Sequence, residues 1–206
     1  MNILLVEDHE LTRFGLKTTF ESDYGIREAG SGEQALEIFG QHTPDIVILD
    51  IGLPGISGIE TAQQMRALGK DVKIIILTSH NDEKEVLACL KAGANAYCSK
   101  EINPKRLAQV VESVAEGAAW FDPAVAQIAL RAINNIPAGP SQDYDLTGRE
   151  MQILKFIAQG RNNSEIAQTL GININTTKTH VASLLKKLGV DSRLQAAIKA
   201  VNQNIV

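Results

Sequence analysis

Residues 45–58 read DIVILDIGLPGISG, and how this stretch folds decides how the rest must. Ile46 to Leu49 is apolar without a break, ends on the carboxylate of Asp50, and is followed by a turn-rich segment with Gly52, Pro54, Gly55 and Gly58. A strand with one wet face alternates apolar and polar side chains, whereas an unbroken run suits a strand covered on both faces, as in a parallel sheet. Open α/β sheets hold their ligands at the carboxyl ends of such strands, where the loops diverge into a crevice. Asp50 stands at that end.

Working outward, Asn2–Val6 is a similar run ending at Glu7 and Asp8, and Glu10–Phe20 has helical spacing, with Leu11, Phe14, Leu16 and Phe20 assigned to one broad apolar face. Gly25–Ala29 is a poor strand by pattern and is expected at an edge; Ser31 and Gln34 form a capping box ahead of Ala35, Leu36, Ile38 and Phe39. Gly58–Leu68 reads as a helix and Lys73–Leu77 as a fourth strand. A helix from Asp82, boxed by Glu85, stops at Gly93, and Ala94–Ser99 is a short strand ending at Lys100. Asn103 as cap and Pro104 at the first helical position open a helix that ends near Gly117. Five strands alternating with five helices predict a flavodoxin-like, doubly wound, five-stranded parallel sheet. No GxGxxG follows the first strand, so a dinucleotide site has little support.

Pro123–Asn134 could form a helix, and Asn134–Asp143 (NNIPAGPSQD) has the composition of a linker. Beyond it, Thr147 with Glu150 and Asn162 with Glu165 box two short helices. A longer helix runs from about Ile174 to Leu188, and a last one from about Arg193 to Asn202. The expected organisation is thus an α/β domain over 1–118, a partly helical linker over 119–143 and a small four-helix domain over 144–206.

Composition agrees with this division. The chain has 206 residues, 44% of them apolar, enough for a substantial core. Its net charge of −4 is unevenly spread: residues 1–140 carry 12 Lys and Arg against 19 Asp and Glu, and residues 141–206 carry 8 against 5. Only the second part is suited to a polyanion. No apolar run approaches the ~20 residues that span a bilayer, and the start MNILLVED lacks a basic region and cleavage site, so a cytoplasmic protein with no membrane partner is expected. Cys89 and Cys98 show no metal-ligand spacing and are expected as small buried hydrophobes, with a minority redox claim for Cys98.

In the predicted sheet Glu7 and Asp8 leave the first strand beside Asp50 leaving the third, so three carboxylates converge. Unneutralised, they repel, and a hard cation such as Mg²⁺ relieves this, since it accepts carboxylates, water and phosphate oxygens. Thr78 ends the fourth strand with a hydroxyl and Lys100 the fifth with an ammonium. A cation, a carboxylate nucleophile, a hydroxyl and an ammonium suit phosphoryl transfer.

With Glu7-Asp8, Asp50 followed by Leu53-Pro54-Gly55 and Gly58, Thr78, and Lys100 after Gly93-Ala94, residues 1 to about 118 resemble the receiver domain of two-component response regulators. The resemblance implies that Asp50 accepts phosphate from a sensor histidine kinase. It also implies that Asp8, Asp50 and the Gly52 carbonyl bind Mg²⁺ with Glu7 acting through water, and that Thr78 and Lys100 contact the phosphoryl group. Tyr97 stands where receivers usually carry a switch aromatic; phosphorylation would draw Thr78 toward the phosphate and let Tyr97 turn inward. Without the family pattern, a tyrosine simply packed at a strand end is as good a reading.

Helices joined through a Gly-containing turn are the parts of a helix-turn-helix. In Ile174–Leu188, positions 177, 181, 184, 185 and 188 form a core stripe. The other side carries Asn175, Lys178, Thr179, Ala182, Ser183 and Lys186, short polar groups and lysines suited to a major groove and its phosphates. Residues 146–190 resemble the LuxR-type DNA-binding domain, through Leu146-Thr147, Arg149-Glu150, Glu165-Ile166-Ala167, Leu170-Gly171, Lys178-Thr179-His180-Val181 and Lys187-Leu188-Gly189-Val190. Thr176, His180 and Lys187 join the candidate DNA-binding set on that basis, with His180 as a backbone contact or a packed histidine.

Gly148, Ser164, Thr177 and Ala182 depart from the usual residues, and Ser164 removes a probable phosphate contact. Leu194, Ala197, Ile198 and Val201 line one side of the last helix. By resemblance that helix dimerises, so that a homodimer would read inverted or direct half-sites; packing onto its own domain is the alternative for part of that face.

Together these features resemble a response regulator of the NarL/FixJ type, and the resemblance implies a phosphorylation-controlled transcription regulator and not an enzyme, with double-stranded DNA, a histidine kinase and RNA polymerase as expected partners. A phosphatase using the same aspartyl chemistry would need an acid two residues after the nucleophile, where Gly52 stands. The rival is a regulator of the same architecture controlled by a protein partner or by redox state at Cys98.

Overall fold

The computed structural model describes residues 1–68, 72–79, 82–123, 125–128, 144–203 and 205–206. Strands β1 (Asn2–Val6), β2 (Gly25–Ala29), β3 (Ile46–Leu49), β4 (Lys73–Thr78) and β5 (Ala96–Ser99) alternate with helices α1 (Glu10–Phe20), α2 (Gly32–Gln41), α3 (Gly58–Ala67), α4 (Glu83–Lys91) and α5 (Pro104–Ala115). The sheet is parallel throughout, in the order β2-β1-β3-β4-β5-β6. The poorly patterned β2 is at the edge, as expected. The sixth strand, β6 (Trp120–Phe121), was not expected; two residues are too few to show a period. It pairs with β5 in the register Ala96↔Trp120 and Tyr97↔Phe121, inside the stretch read as linker.

The unbroken apolar runs are explained by two cores. Because successive strand residues face opposite ways, Leu4, Val6, Val47, Leu49, Ile74 and Ile76 pack beneath α2, α3 and α4. Their neighbours Ile3, Leu5, Ile46, Ile48, Ile75 and Leu77 pack with Phe20 of α1 and with Leu107, Val110, Val111 and Val114 of α5. Each fully buried aliphatic side chain contributes roughly 1.5–3 kcal/mol, enough to hold a four-residue strand that would be unstable alone.

Three local expectations differ from what is found. Leu11 and Phe14 are 84% and 67% exposed, not inward. At 100° per residue, Leu11 lies roughly 140–180° round the helix from Leu16 and Phe20, so the four never shared a face. Asp82 caps α4 by accepting from Lys84 N–H at 2.8 Å, and Glu85 does not complete a box. Ser31 caps α2, but the Gln34 side chain accepts from Gly30 N–H, one residue early.

The second domain comprises α6 (Gly148–Ala158), α7 (Asn163–Leu170), α8 (Ile174–Leu188) and α9 (Arg193–Asn202). Both predicted capping boxes form, Thr147 with Glu150 and Asn162 with Glu165. Ile153, Leu154, Ile157, Ile166, Leu184, Leu188, Ala196 and Ala200 make its core. The domains touch through the start of α9. The buried Arg193 guanidinium donates to the carbonyls of Gly117 and Arg161, Gln195 Nε2 donates to the Leu90 carbonyl at 2.9 Å, and Leu194 packs against the first receiver core. The helix expected beyond Ile128 and the Asn134–Asp143 linker lie outside the described residues.

Candidate functional site

The carboxyl ends of β1, β3, β4 and β5 bring the predicted acidic cluster together. Glu7 is 1% exposed and Asp50 6%, while Asp8 is exposed. The Lys100 ammonium bridges the two buried carboxylates, 2.7 Å from Glu7 Oε2 and 2.9 Å from Asp50 Oδ2. Burial pushes the Glu7 carboxyl above its ordinary range, against the pull of Lys100, and the Asp50 charge adds to the rise. Burial opposes the Lys100 charge as well, but the bonds to Glu7 and Asp50 outweigh it and raise its pKa. Thr78 is fully buried at the end of β4, and its carbonyl accepts from Lys100 N–H at 2.9 Å. Two buried carboxylates share one ammonium, and the exposed Asp8 carboxylate adjoins Glu7 without one of its own among the described residues. That excess of hard oxygen donors fits Mg²⁺.

The loops are held from outside the predicted set. Arg13, on α1, donates to the Glu7 carbonyl at 2.6 Å and sits 3.6 Å from Glu28. Glu33, in the first turn of α2, accepts from Ile56 N–H at 3.0 Å and so braces the turn after Asp50. At Gly58 an added Cβ would lie 2.0 Å from the Asp50 carbonyl, so only glycine lets α3 start so close to the strand end. At Gly52 it would sit 3.5 Å from Asp50 Oδ2, an ordinary van der Waals contact with the carboxylate. His9 groups with Glu7 and Asp8, one ligand atom from each lying within 4.8 Å of the others. Arg13 and Glu33 carried no sequence signal, because a main-chain partner, the Glu7 carbonyl or the Ile56 N–H, leaves no residue-type pattern.

In the second domain, α8 follows α7 through a left-handed Gly171, the geometry of a helix-turn-helix. Thr177, Leu184 and Leu188 are buried, and Val181 and Leu185 pack on the core, as the predicted stripe requires. Asn175, Thr176, Lys178, Thr179, Ala182 and Lys186 are exposed, and His180 is half-buried.

Residues 3–112 match the family model described as the response regulator receiver domain, and residues 145–200 match the luxR family of bacterial regulatory proteins. The chain belongs to the response regulators, with a LuxR-type DNA-binding domain. Along its whole length it is 33% identical to the transcriptional regulatory protein LiaR of Bacillus subtilis, covering 99% of that protein. It is 34% identical to the nitrate/nitrite response regulator protein NarL of Escherichia coli K12, over 95% of this chain and 93% of that one. Among solved structures it is similar to the response regulator ChrA of a heme-sensing two-component system, with 31% identity, a TM-score of 0.52, and coverage of 100% and 98%. A LuxR-family response regulator from Aurantimonas matches over 64% of this chain and 97% of that one, with 33% identity and a TM-score of 0.58. The chain is therefore a two-component response regulator, a class that acts in phosphorylation-controlled transcription.

In this response regulator not every candidate DNA contact faces outward. Ser183 Oγ donates to Glu150 Oε1 at 2.7 Å, and Lys187 Nζ lies 2.8 Å from Glu150 Oε2 and 2.9 Å from the Asp145 carbonyl. Glu150 is 3% exposed. Burial opposes its charge, yet Lys187, the Thr147 N–H and Ser183 more than compensate and hold its pKa near 2. Lys178, Ala182 and Lys186 line a cleft of about 770 Å³ whose opposite wall includes Met1, Asp45 and Lys73. Lys178, Ala182 and Lys186 thus border one cleft with the amino ends of the receiver strands, at the opposite end of the strands from Asp50. On α9, Leu194 packs against the receiver and Ala197 within its own domain, while Val201 stays 53% exposed. Tyr97 is fully buried, already turned inward.

Proposed function

We propose that Asp50 is the phosphoacceptor and that its phosphorylation frees α8 to read DNA. The observation that carries this is the Lys100 bridge between Glu7 and Asp50 at the strand ends. Asp50 Oδ1 forms a bond to phosphorus as the bond from phosphorus to the donor's imidazole nitrogen breaks. Lys100 then turns toward the new phosphoryl oxygens, and the Thr78 hydroxyl supplies a further donor. Glu7, Asp8, Asp50 and the Gly52 carbonyl would hold Mg²⁺, which when bound neutralises phosphoryl charge. Gly52 offers no acid to hasten hydrolysis, which suits a site that holds phosphate.

The output is a transcription regulator in the cytoplasm, with a histidine kinase upstream and promoter DNA downstream. Lys178, Thr179 and Ala182 are the base and phosphate contacts, flanked by Asn175, Thr176, His180 and Lys186. Ser183 and Lys187 serve the domain's own structure first. The cleft in front of α8 supports a closed resting arrangement; opening would free the helix and also the start of α9 for a homodimer on paired half-sites, with RNA polymerase as the next partner. Redox control through Cys98 is disfavoured. Its thiol is fully buried and burial pushes its pKa up to about 12, leaving almost no thiolate to react.

The test loads the protein with a small phosphodonor and Mg²⁺ and follows intact mass and DNA binding. Wild type should gain one phosphoryl group and bind DNA more tightly, and Asp50→Ala should do neither. Equal mass gain in the two proteins would remove Asp50 from the role.

A further inference from the structure

We propose that Asp122 is a positioning residue that couples the phosphoryl-accepting pocket to the chain leading to the DNA-binding domain. The inference rests on the reading of Asp50 above. β6 extends the ladder beside β5, and Asp122 N–H continues it by donating to the Tyr97 carbonyl at 3.2 Å. In a parallel ladder the next bond would run from Ser99 N–H to the Asp122 carbonyl. That carbonyl is otherwise engaged, accepting from Ala126 N–H at 2.9 Å as the chain turns out of the sheet. The Asp122 carboxylate takes its place and accepts from Ser99 N–H at 2.7 Å. This bond spans 23 positions, far beyond the reach of a local helix cap. One residue thus closes the last rung of the sheet with its side chain and starts the exit with its main chain.

Ser99 adjoins Lys100, and the two N–H groups point to opposite sides of β5. Lys100 N–H bonds the Thr78 carbonyl on one side, and Ser99 N–H bonds Asp122 on the other. When the ammonium leaves Glu7 and Asp50 for a phosphoryl group, strain on the Lys100 main chain reaches Asp122 through a single peptide unit. Beyond Asp122, Val125 is buried, and Phe121 and Ile128 pack with it, in the cluster that contains Tyr97. Tyr97, the lysine loop and the exit therefore share one packed seam.

Trp120, the single tryptophan, stands on β6 with the Arg106 guanidinium 4.3 Å from its ring; it packs in the second core, on the sheet face opposite this seam, and reports on β6 itself. Full-length protein is treated with a small phosphodonor and Mg²⁺, and intact mass, Trp120 emission and DNA affinity are read together. Wild type should show a phosphorylation-dependent emission shift and a gain in affinity, in the ~5- to 150-fold range usual for coupled sites. Asp122→Ala should take up the phosphoryl group equally but lose the shift, its affinity gain falling to about 1-fold. Asp122→Asn, whose amide oxygen can still accept from Ser99, should recover most of both. Should Asp122→Ala fail to fold, hydrogen exchange at the Ser99 amide of wild type decides: protection must change on phosphorylation, and unchanged protection overturns the coupling. A wild type with no mass gain overturns the Asp50 reading and this coupling with it. Mass gain in both proteins with an undiminished response in Asp122→Ala overturns the coupling alone.

Discussion

Two buried carboxylate sites in this chain use the same chemistry to opposite ends. In the receiver, Glu7 and Asp50 share Lys100, and Glu7 is pushed above its ordinary range. In the DNA-binding domain, Glu150 is the one carboxylate bound by Lys187, Ser183 and the Thr147 N–H and is held at about pKa 2. Burial penalises the charge in both. What differs is the ratio of anions to donors: the first site has more negative charge than it can satisfy, and the second is saturated. An unsatisfied buried cluster has a use for a cation or a phosphoryl group, whereas a saturated one is a structural pin.

The contrast is most sharply tested by removing each lysine. Lys187→Met leaves the Glu150 carboxylate buried without its counter-ion and should cost about 3 kcal/mol, with or without Mg²⁺. Lys100→Met should cost a comparable amount in chelator but recover much of it when Mg²⁺ is added. Urea unfolding with and without Mg²⁺ measures both, and equal Mg²⁺ responses would erase the distinction.

Acid separates the two sites next. Glu150 has a depressed folded-state pKa, so its contribution is complete above the unfolded value near 4.5 and is lost as pH falls toward 2. At 1.36 kcal/mol per pH unit this amounts to about 3 kcal/mol at most, and Glu150→Gln should abolish that part of the acid dependence. Glu7 has the opposite sign: its folded pKa is raised, so its charged form weakens the fold as pH rises through that value. Glu7→Gln should therefore raise the urea midpoint at neutral pH in chelator, lose this advantage in acid, and respond less to Mg²⁺. A lower midpoint at neutral pH would show that the pocket is already satisfied.

The smallest expected effect concerns the lysines of α8. Lys178→Ala should weaken DNA binding and reduce the salt slope by about 1. Lys187→Ala should leave that slope unchanged while lowering stability, because its ammonium is engaged by Glu150. A slope change in Lys187→Ala would return that residue to the DNA interface.

Most of the receiver was legible because its signals are short-range. The apolar runs of Asn2–Val6 and Ile46–Leu49, the Asn103-Pro104 start and the glycine stops each depend on a few adjacent residues. The candidate residues Glu7, Asp50, Thr78 and Lys100 were brought together for a related reason: each ends or follows a strand, so finding the strands finds the cluster. The misreading of Leu11 and Phe14 came from counting apolar residues without checking their angle round the helix. β6, Glu33 and Asp122 left no trace, since each bonds main-chain groups more than 20 positions away, and Arg13 left none because its partner, the Glu7 carbonyl, is main chain.

The sequence alone determined the element order apart from β6, the burial of the sheet on both faces, the acidic strand ends and the basic second domain. These follow from periodicity and from which side chains can tolerate burial. Only the tertiary structure decided how charge is shared: that one lysine serves two carboxylates at Asp50, that Ser183 and Lys187 are bound by Glu150, and that α8 faces the receiver. Electrostatic and hydrogen-bond partners are chosen by distance in space, and that distance exists only once the chain has folded.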